Sequence, residues 1–450
     1  MSIQDSQAPG EASRWTALRQ AWASVPRAAL GNLVAKLLIV SLGLGITVLV
    51  ARQGPRVQGA FALFVAVESA LLTLFSGLGL WLARQMSRQL AGPPVLARTM
   101  LRSVLRAALG LGLVASGALL AVSWWADKMP YAQLWLLALA APFLLLVPTA
   151  TGLWLGQGRM WPLNAAQVAA PASVLSGLAA AWWFTQGAER HASTVLVVLI
   201  AWVSGKSLVA VLTAIYALND ADRRDATIEP AEPSPVWWDD WRFVATIGVT
   251  NVISLLNYRA SLFLVERFHG LGAVGTYSVA VTVAELLWLL SQSVTVSAYA
   301  RIGNPELRIA AGMTVQAVRI NVLATVLAAP ILLALASWAL PWVMGPAYAA
   351  SVTPLAALLP GVAAYAAASS LSAFYTNHLG RPHLSGGIAG LSLAVSFGLG
   401  WVLVPLWGAL GAGIASSTGY IVAIVVAYAV FLRRAKLPVR ALWTPAMTRV

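Results

Sequence analysis

The sequence predicts an all-α polytopic membrane protein of about 12 transmembrane helices, split into two six-helix halves, with N- and C-termini cytoplasmic. Three observations carry that expectation. Of 450 residues, 59% are hydrophobic and only 10% are Asp, Glu, Lys or Arg, whereas a soluble chain carries about 25% charged residues. Twelve apolar stretches reach the ~20 residues needed to cross a ~30 Å hydrocarbon core. The basic residues gather on alternate connections between those stretches. So little charge excludes a soluble enzyme of several domains, since too little polar surface remains to enclose it. The absence of Cys excludes a disulfide scaffold and a cysteine-built metal site.

Residues 1–27 hold Arg14, Arg19, Arg27, Trp15 and Trp22 without an apolar core ahead of a cleavage site. They are expected to be a cytoplasmic surface segment, not a removed signal. The first half, 28–217, contains the spans Ala28–Val50, Ala60–Leu82, Ala107–Ala126, Ala132–Trp154, Leu163–Trp183 and Ser193–Tyr216. A linker at 218–242 follows. Its Asp220, Asp222, Asp225, Glu229, Glu232, Asp239 and Asp240, with Pro230, Pro233 and Pro235, suggest an extended, solvated tether. The second half, 243–432, contains Phe243–Leu264, Val274–Tyr299, Ile320–Trp338, Ala350–Phe374, Ser385–Val404 and Gly408–Leu432. A basic cytoplasmic tail is expected at 433–450. Helices are the only reading of these runs, because lipid offers no water to unpaired backbone groups and the runs are too long for barrel strands.

With the N-terminus inside, 21 of the 29 Lys and Arg lie in inner segments and 5 in outer loops. Arg84, Arg88, Arg98, Arg102 and Arg106 alone flank the second inner connection. This is a positive-inside pattern. The formal net charge of +14 therefore reflects orientation and anionic inner-leaflet lipid, with no nucleic acid as partner.

Internal similarity supports a duplication. Gly59-Ala-Phe-Ala-Leu-Phe-Val-Ala-Val-Glu68 opens span 2, and Gly275-Thr-Tyr-Ser-Val-Ala-Val-Thr-Val-Ala-Glu285 opens span 8. Gly156-Gln-Gly-Arg-Met-Trp-Pro162 follows span 4, and His378-Leu-Gly-Arg-Pro382 follows span 10. Several of these segments also resemble a known family. Val50-Ala-Arg-Gln-Gly-Pro-Arg-Val-Gln-Gly-Ala-Phe61, then Ser76-Gly-Leu-Gly-Leu80 and Arg84, resemble the first two spans of bacterial polysaccharide flippases. So do Asn257-Tyr-Arg-Ala-Ser-Leu-Phe263, Val274-Gly-Thr-Tyr-Ser278, Gly380-Arg-Pro382 and Leu406-Trp-Gly-Ala-Leu-Gly-Ala-Gly-Ile-Ala415. The family is the oligosaccharide-flippase (Wzx-type) branch of the multidrug/oligosaccharidyl-lipid/polysaccharide exporter superfamily, and the resemblance runs from about residue 28 to 432. It implies two six-helix lobes around a central cavity that opens alternately to either side of a bacterial inner membrane. Many relatives carry an acid shortly after the span-7 Arg; here Arg259 is followed by Ala260 and Ser261.

Five ionisable residues fall within spans: Lys36, Glu68, Lys206, Arg259 and Glu285. Each costs about 2.5–3.5 kcal/mol at a helix centre and so demands a partner or a wet cavity. At 1.5 Å per residue, Glu285 lies about 16 Å below the outer surface, near the midplane. Two readings stand side by side. In one, Arg259 and Lys36 bind an anionic substrate, while Glu285 and Glu68 form a coupling pathway for H+ or Na+. In the other, Lys36–Glu68 and Arg259–Glu285 merely neutralise each other between helices. Lys206 is expected to reach toward the inner headgroups. Trp288 shares a helical face with Glu285 and could stack on a sugar, or simply pack. Pro142, Pro148, Pro171, Pro330, Pro354 and Pro360 interrupt spans. The four His suggest no metal site.

The expected function is a flippase for an isoprenoid-diphosphate-linked oligosaccharide. Its partners would be that lipid-linked oligosaccharide, membrane lipids, and the polysaccharide polymerase and glycosyltransferases of the same pathway. No cofactor is expected, and no GxxxxGK[ST] loop is present to bind a nucleotide. The alternative in transport is a cation-coupled MATE-type drug exporter, which needs an acidic cavity. Enzyme activity is not expected, because the outer loops are short and the long linker has no His.

Overall fold

The computed structural model describes residues 27–89, 96–126, 128–184, 193–225 and 235–442. Residues 1–26, the linker stretch holding Glu229, Pro230, Glu232 and Pro233, and the tail from 443 lie outside the described residues. Among the described residues there is helix and turn but no strand. Helices α1 (Arg27–Ala51), α2 (Pro55–Leu74), α3 (Gly77–Gln89), α4 (Ala97–Trp125), α5 (Leu134–Leu144), α6 (Leu146–Gly156), α7 (Met160–Phe184) and α8 (Ser193–Asp225) build the first lobe. The second comprises α9 (Trp241–Glu285), α10 (Leu287–Ile302), α11 (Leu307–Met344), α12 (Val352–Tyr365), α13 (Ala368–Ala373) and α14 (Pro382–Ala435).

Ten helices among the described residues are long and apolar enough to cross a membrane. Two are too long for a single crossing: Trp241–Tyr299 has 59 residues and Pro382–Ala435 has 54, or roughly 80–90 Å if straight. Each folds back at a glycine, Gly270 with φ 74° and Gly408 with φ 57°, a backbone region open to Gly and costly for other residues. Across the first bend Tyr277 donates to Ser261 at 3.0 Å. Across the second, Gly411 sits directly on the Leu403 carbonyl. Each of these helices therefore makes two crossings, which gives twelve. The bends fall where spans 7 and 8, and spans 11 and 12, were expected to part.

The linker departs from the expected solvated tether. Helix α8 continues beyond Tyr216 to Asp225, and Asp220, Asp222, Asp225 and Asp240 are engaged. Asp220 pairs with Arg159 and accepts from Trp154 Nε1. Asp222 pairs with Arg98 at 2.5 Å. Asp225 accepts from the backbone N–H groups of Ala97 and Arg98, two donors left free at the start of α4. Asp240 accepts from Trp81 Nε1 at 2.9 Å and from Gln85. The physical reason is local: arginines brought to this end of the molecule pair with Asp220 and Asp222, while free N–H groups of helix ends and side chains meet Asp225 and Asp240.

Candidate functional site

The membrane-buried charges form two ion pairs, one in each lobe. In the first lobe Glu68 on α2 is wholly buried and accepts from Lys206 Nζ at 2.5 Å and Trp202 Nε1 at 2.6 Å. Lys206 also lies over the Trp202 ring, 4.4 Å from its centroid. The partner of Glu68 is thus Lys206, not Lys36, and Lys206 does not reach for the headgroups. A buried carboxylate holds an ammonium more strongly than a distant interface can. Trp202 is a site residue that sequence reasoning missed, although its spacing of four from Lys206 already placed both on one helical face. In the second lobe Arg259 donates to Glu285 at 3.1 Å across the Gly270 bend. That is the pair the sequence suggested.

Between the lobes lies a cavity of about 370 Å3, lined from α1, α2, α7, α8 and α9. Lys206 and Arg259 both line it, with Gln58, Thr47, Ser278 and Thr282 as its neutral polar groups. Neither Glu68 nor Glu285 is among its lining residues. The cations therefore face the cavity and their carboxylates stand behind them. Lys36 is exposed on α1, outside this lining and outside the ion pairs among the described residues.

A second cavity of about 370 Å3 lies within the second lobe. Its aromatic wall is Tyr258, Trp288 and Tyr365, with Tyr258 and Trp288 ring centroids 4.9 Å apart. Trp288 thus lines this cavity, one helical turn from Glu285, and not the cationic one.

The lobes touch at both ends. Near the α1–α2 turn, a Cβ at Gly59 would lie 2.0 Å from the Leu271 carbonyl oxygen, and one at Gly275 1.9 Å from that of Pro55. These contacts exchange under the internal repeat, as a two-fold axis between the lobes requires. At the arginine-rich end, Gly77 and Gly248 sit equally close to the carbonyls of Val244 and Leu74, and Asn251 donates to Ser76 at 3.1 Å.

No family model matches the chain, and no curated protein matches it. Solved structures do. An inward-facing multidrug resistance MATE family transporter of the MOP superfamily superposes with TM-score 0.69 at 14% identity, covering 91% of this chain and 98% of that one. The fold is that of MOP-superfamily transporters. Lipid II flippase MurJ, in an inward closed conformation, gives TM-score 0.71 at 14% identity, with 93% and 89% covered. A MOP superfamily transporter from Pyrococcus furiosus, described as having a binding pocket of reverse polarity, gives 0.60 at 15%, with 93% and 96% covered. With its ten long apolar helices among the described residues, the protein is a multi-pass membrane protein.

Proposed function

We propose that the protein is a flippase of the Wzx type. It carries an isoprenoid-diphosphate-linked oligosaccharide from the cytoplasmic to the periplasmic leaflet of a bacterial inner membrane by alternating access. One observation carries this reading: Lys206 and Arg259 line the interlobe cavity while both carboxylates are withdrawn from it. A cationic drug would need the reverse arrangement, so the MATE-type alternative is disfavoured. A diphosphate suits it, because a guanidinium grips phosphate with two donors and the low-dielectric wall strengthens the attraction. An anion drawing on Lys206 and Arg259 loosens their hold on Glu68 and Glu285. Those carboxylates then gain from taking H+ or Na+, which supplies a route for coupling.

The test is export of the lipid-linked product in cells that lack the native gene. Arg259→Ala and Lys206→Ala, at normal protein level, should each lower it about tenfold or more, the worth of one charged hydrogen bond. Full export by either variant overturns the headgroup role. Vesicle transport by Glu285→Gln should lose its dependence on pH or sodium, and retention of that dependence removes Glu285 from the coupling path.

A further inference from the structure

We propose that the cavity inside the second lobe is a subsite for the neutral, hydroxyl-rich sugar head of the substrate, next to the cationic interlobe cavity. The proposal rests on the flippase reading and extends it.

The lining of this cavity contains no Asp, Glu, Lys or Arg. A diphosphate would meet no cation there and a cationic drug no carboxylate. An acyl or prenyl chain would meet the hydroxyl or amide of Thr250, Asn251, Ser254, Ser291, Ser369 and Ser372, whose hydration it cannot replace. A neutral polyol can replace it. Two buried polar atoms on this wall lack a partner: the hydroxyl of Ser291, a residue only 2% exposed, and the Trp288 indole N–H. Buried polar groups are nearly always bonded, so these two mark an unmet demand just behind the cavity wall, which a ligand hydroxyl meets once the wall shifts to admit it. Ser369 is held in place from behind: Thr295 bonds it at 2.7 Å, and Thr295 also bonds Ser370, which in turn accepts from Asn321. Tyr258 and Trp288 offer apolar faces to a sugar ring, as aromatic walls with a few convergent polar groups do in small-molecule sites.

Connectivity agrees with this assignment. Tyr258 directly precedes Arg259, and Trp288 is one helical turn from Glu285. The two cavities thus lie on different faces of the same stretch of α9, and on this proposal a diphosphate at Arg259 has its sugar turned around that helix to the aromatic wall. The lining residues of α9 and α14, among them Thr250, Asn251, Ser254, Ser385 and Gly386, come from the parts of those helices nearest the arginine-rich connections, the end from which the substrate would load.

The probes are a short-chain prenyl diphosphate and the same lipid carrying glucose, galactose, N-acetylglucosamine or rhamnose, titrated against the purified full chain. At least one sugar should raise affinity about tenfold over the bare diphosphate, since a site built to bond hydroxyls discriminates strongly against an analogue lacking them. Trp288→Leu and, independently, Ser369→Ala should shrink that gain to about twofold. Both should bind the bare diphosphate as before, whereas Arg259→Ala weakens both ligands together. The native chain has no Cys, so Ser254→Cys provides a clean reporter. The sugar-bearing lipid should slow its alkylation more than the bare lipid does. Binding of the bare diphosphate with no gain from any of the four sugars overturns the subsite and leaves the flippase reading standing. No binding of any of the lipids removes the flippase reading itself.

Discussion

Glu68 and Glu285 are both carboxylates paired with a cation inside the membrane, yet their surroundings differ. The Glu68 side chain is 1% exposed and that of Lys206 22%, whereas Glu285 and Arg259 stand at 24% and 29%. Removing one partner of a buried pair leaves an uncompensated charge and costs about 3–5 kcal/mol. Beside a cavity water can enter and reduce that cost. Glu68→Gln should therefore lower the thermal unfolding temperature in detergent more than Glu285→Gln does. Adding Lys206→Met to Glu68→Gln should restore most of the loss, because no stranded charge remains. Equal losses in the two single variants would show that burial does not separate them. At this scale the five ionisable positions and the Arg259–Glu285 pair were legible in the sequence. The identity of the Glu68 partner was not: the Lys that reaches it lies 138 residues away in the chain, at a rotation that only the assembled bundle sets.

At the scale of elements, glycine governs both the bends and the closest contacts between the lobes. Gly59 and Gly275 let α2 and α9 approach backbone to backbone at the α1–α2 end, where an added Cβ would stand at about 2 Å from a carbonyl oxygen. Helix backbone cannot give by that much, so the lobes must part there. Gly59→Ala and Gly275→Ala should each favour the state open at that end. In either background, labelling of a Ser278→Cys reporter on the cavity wall by an impermeant maleimide should rise about tenfold. Unchanged labelling counts against this end being a gate. The duplicated Gly59 and Gly275 segments were visible in the sequence. Their mutual contact was not, because similarity between two segments does not say that they touch. The linker teaches the same lesson: its acids were visible, but the arginines and free helix N–H groups they serve are brought to them by the fold.

For the whole molecule, the two lobes hold a cavity between contacts at both ends, the arrangement that the proposed alternating access needs. The distribution of arginine also orients it. With Thr99→Cys and Lys128→Cys as single reporters in intact cells, both at exposed positions, an impermeant reagent should reach the residue 128 site and not the residue 99 site. The reverse labelling would invert the orientation and the proposed direction of transport.

The all-helical membrane fold, its roughly twelve crossings and the short inventory of charges that the membrane makes costly were all legible in the amino-acid sequence. These follow from hydropathy and length, which depend only on local composition. Tertiary structure alone decided which cation neutralises which carboxylate, that Lys206 and Arg259 share one cavity from which Lys36 is absent, and that Trp288 faces a separate polar chamber. Composition sets how deep a residue sits. Which way it points and what it meets depend on the rotation of each helix, and that is set by packing against neighbours remote in the chain.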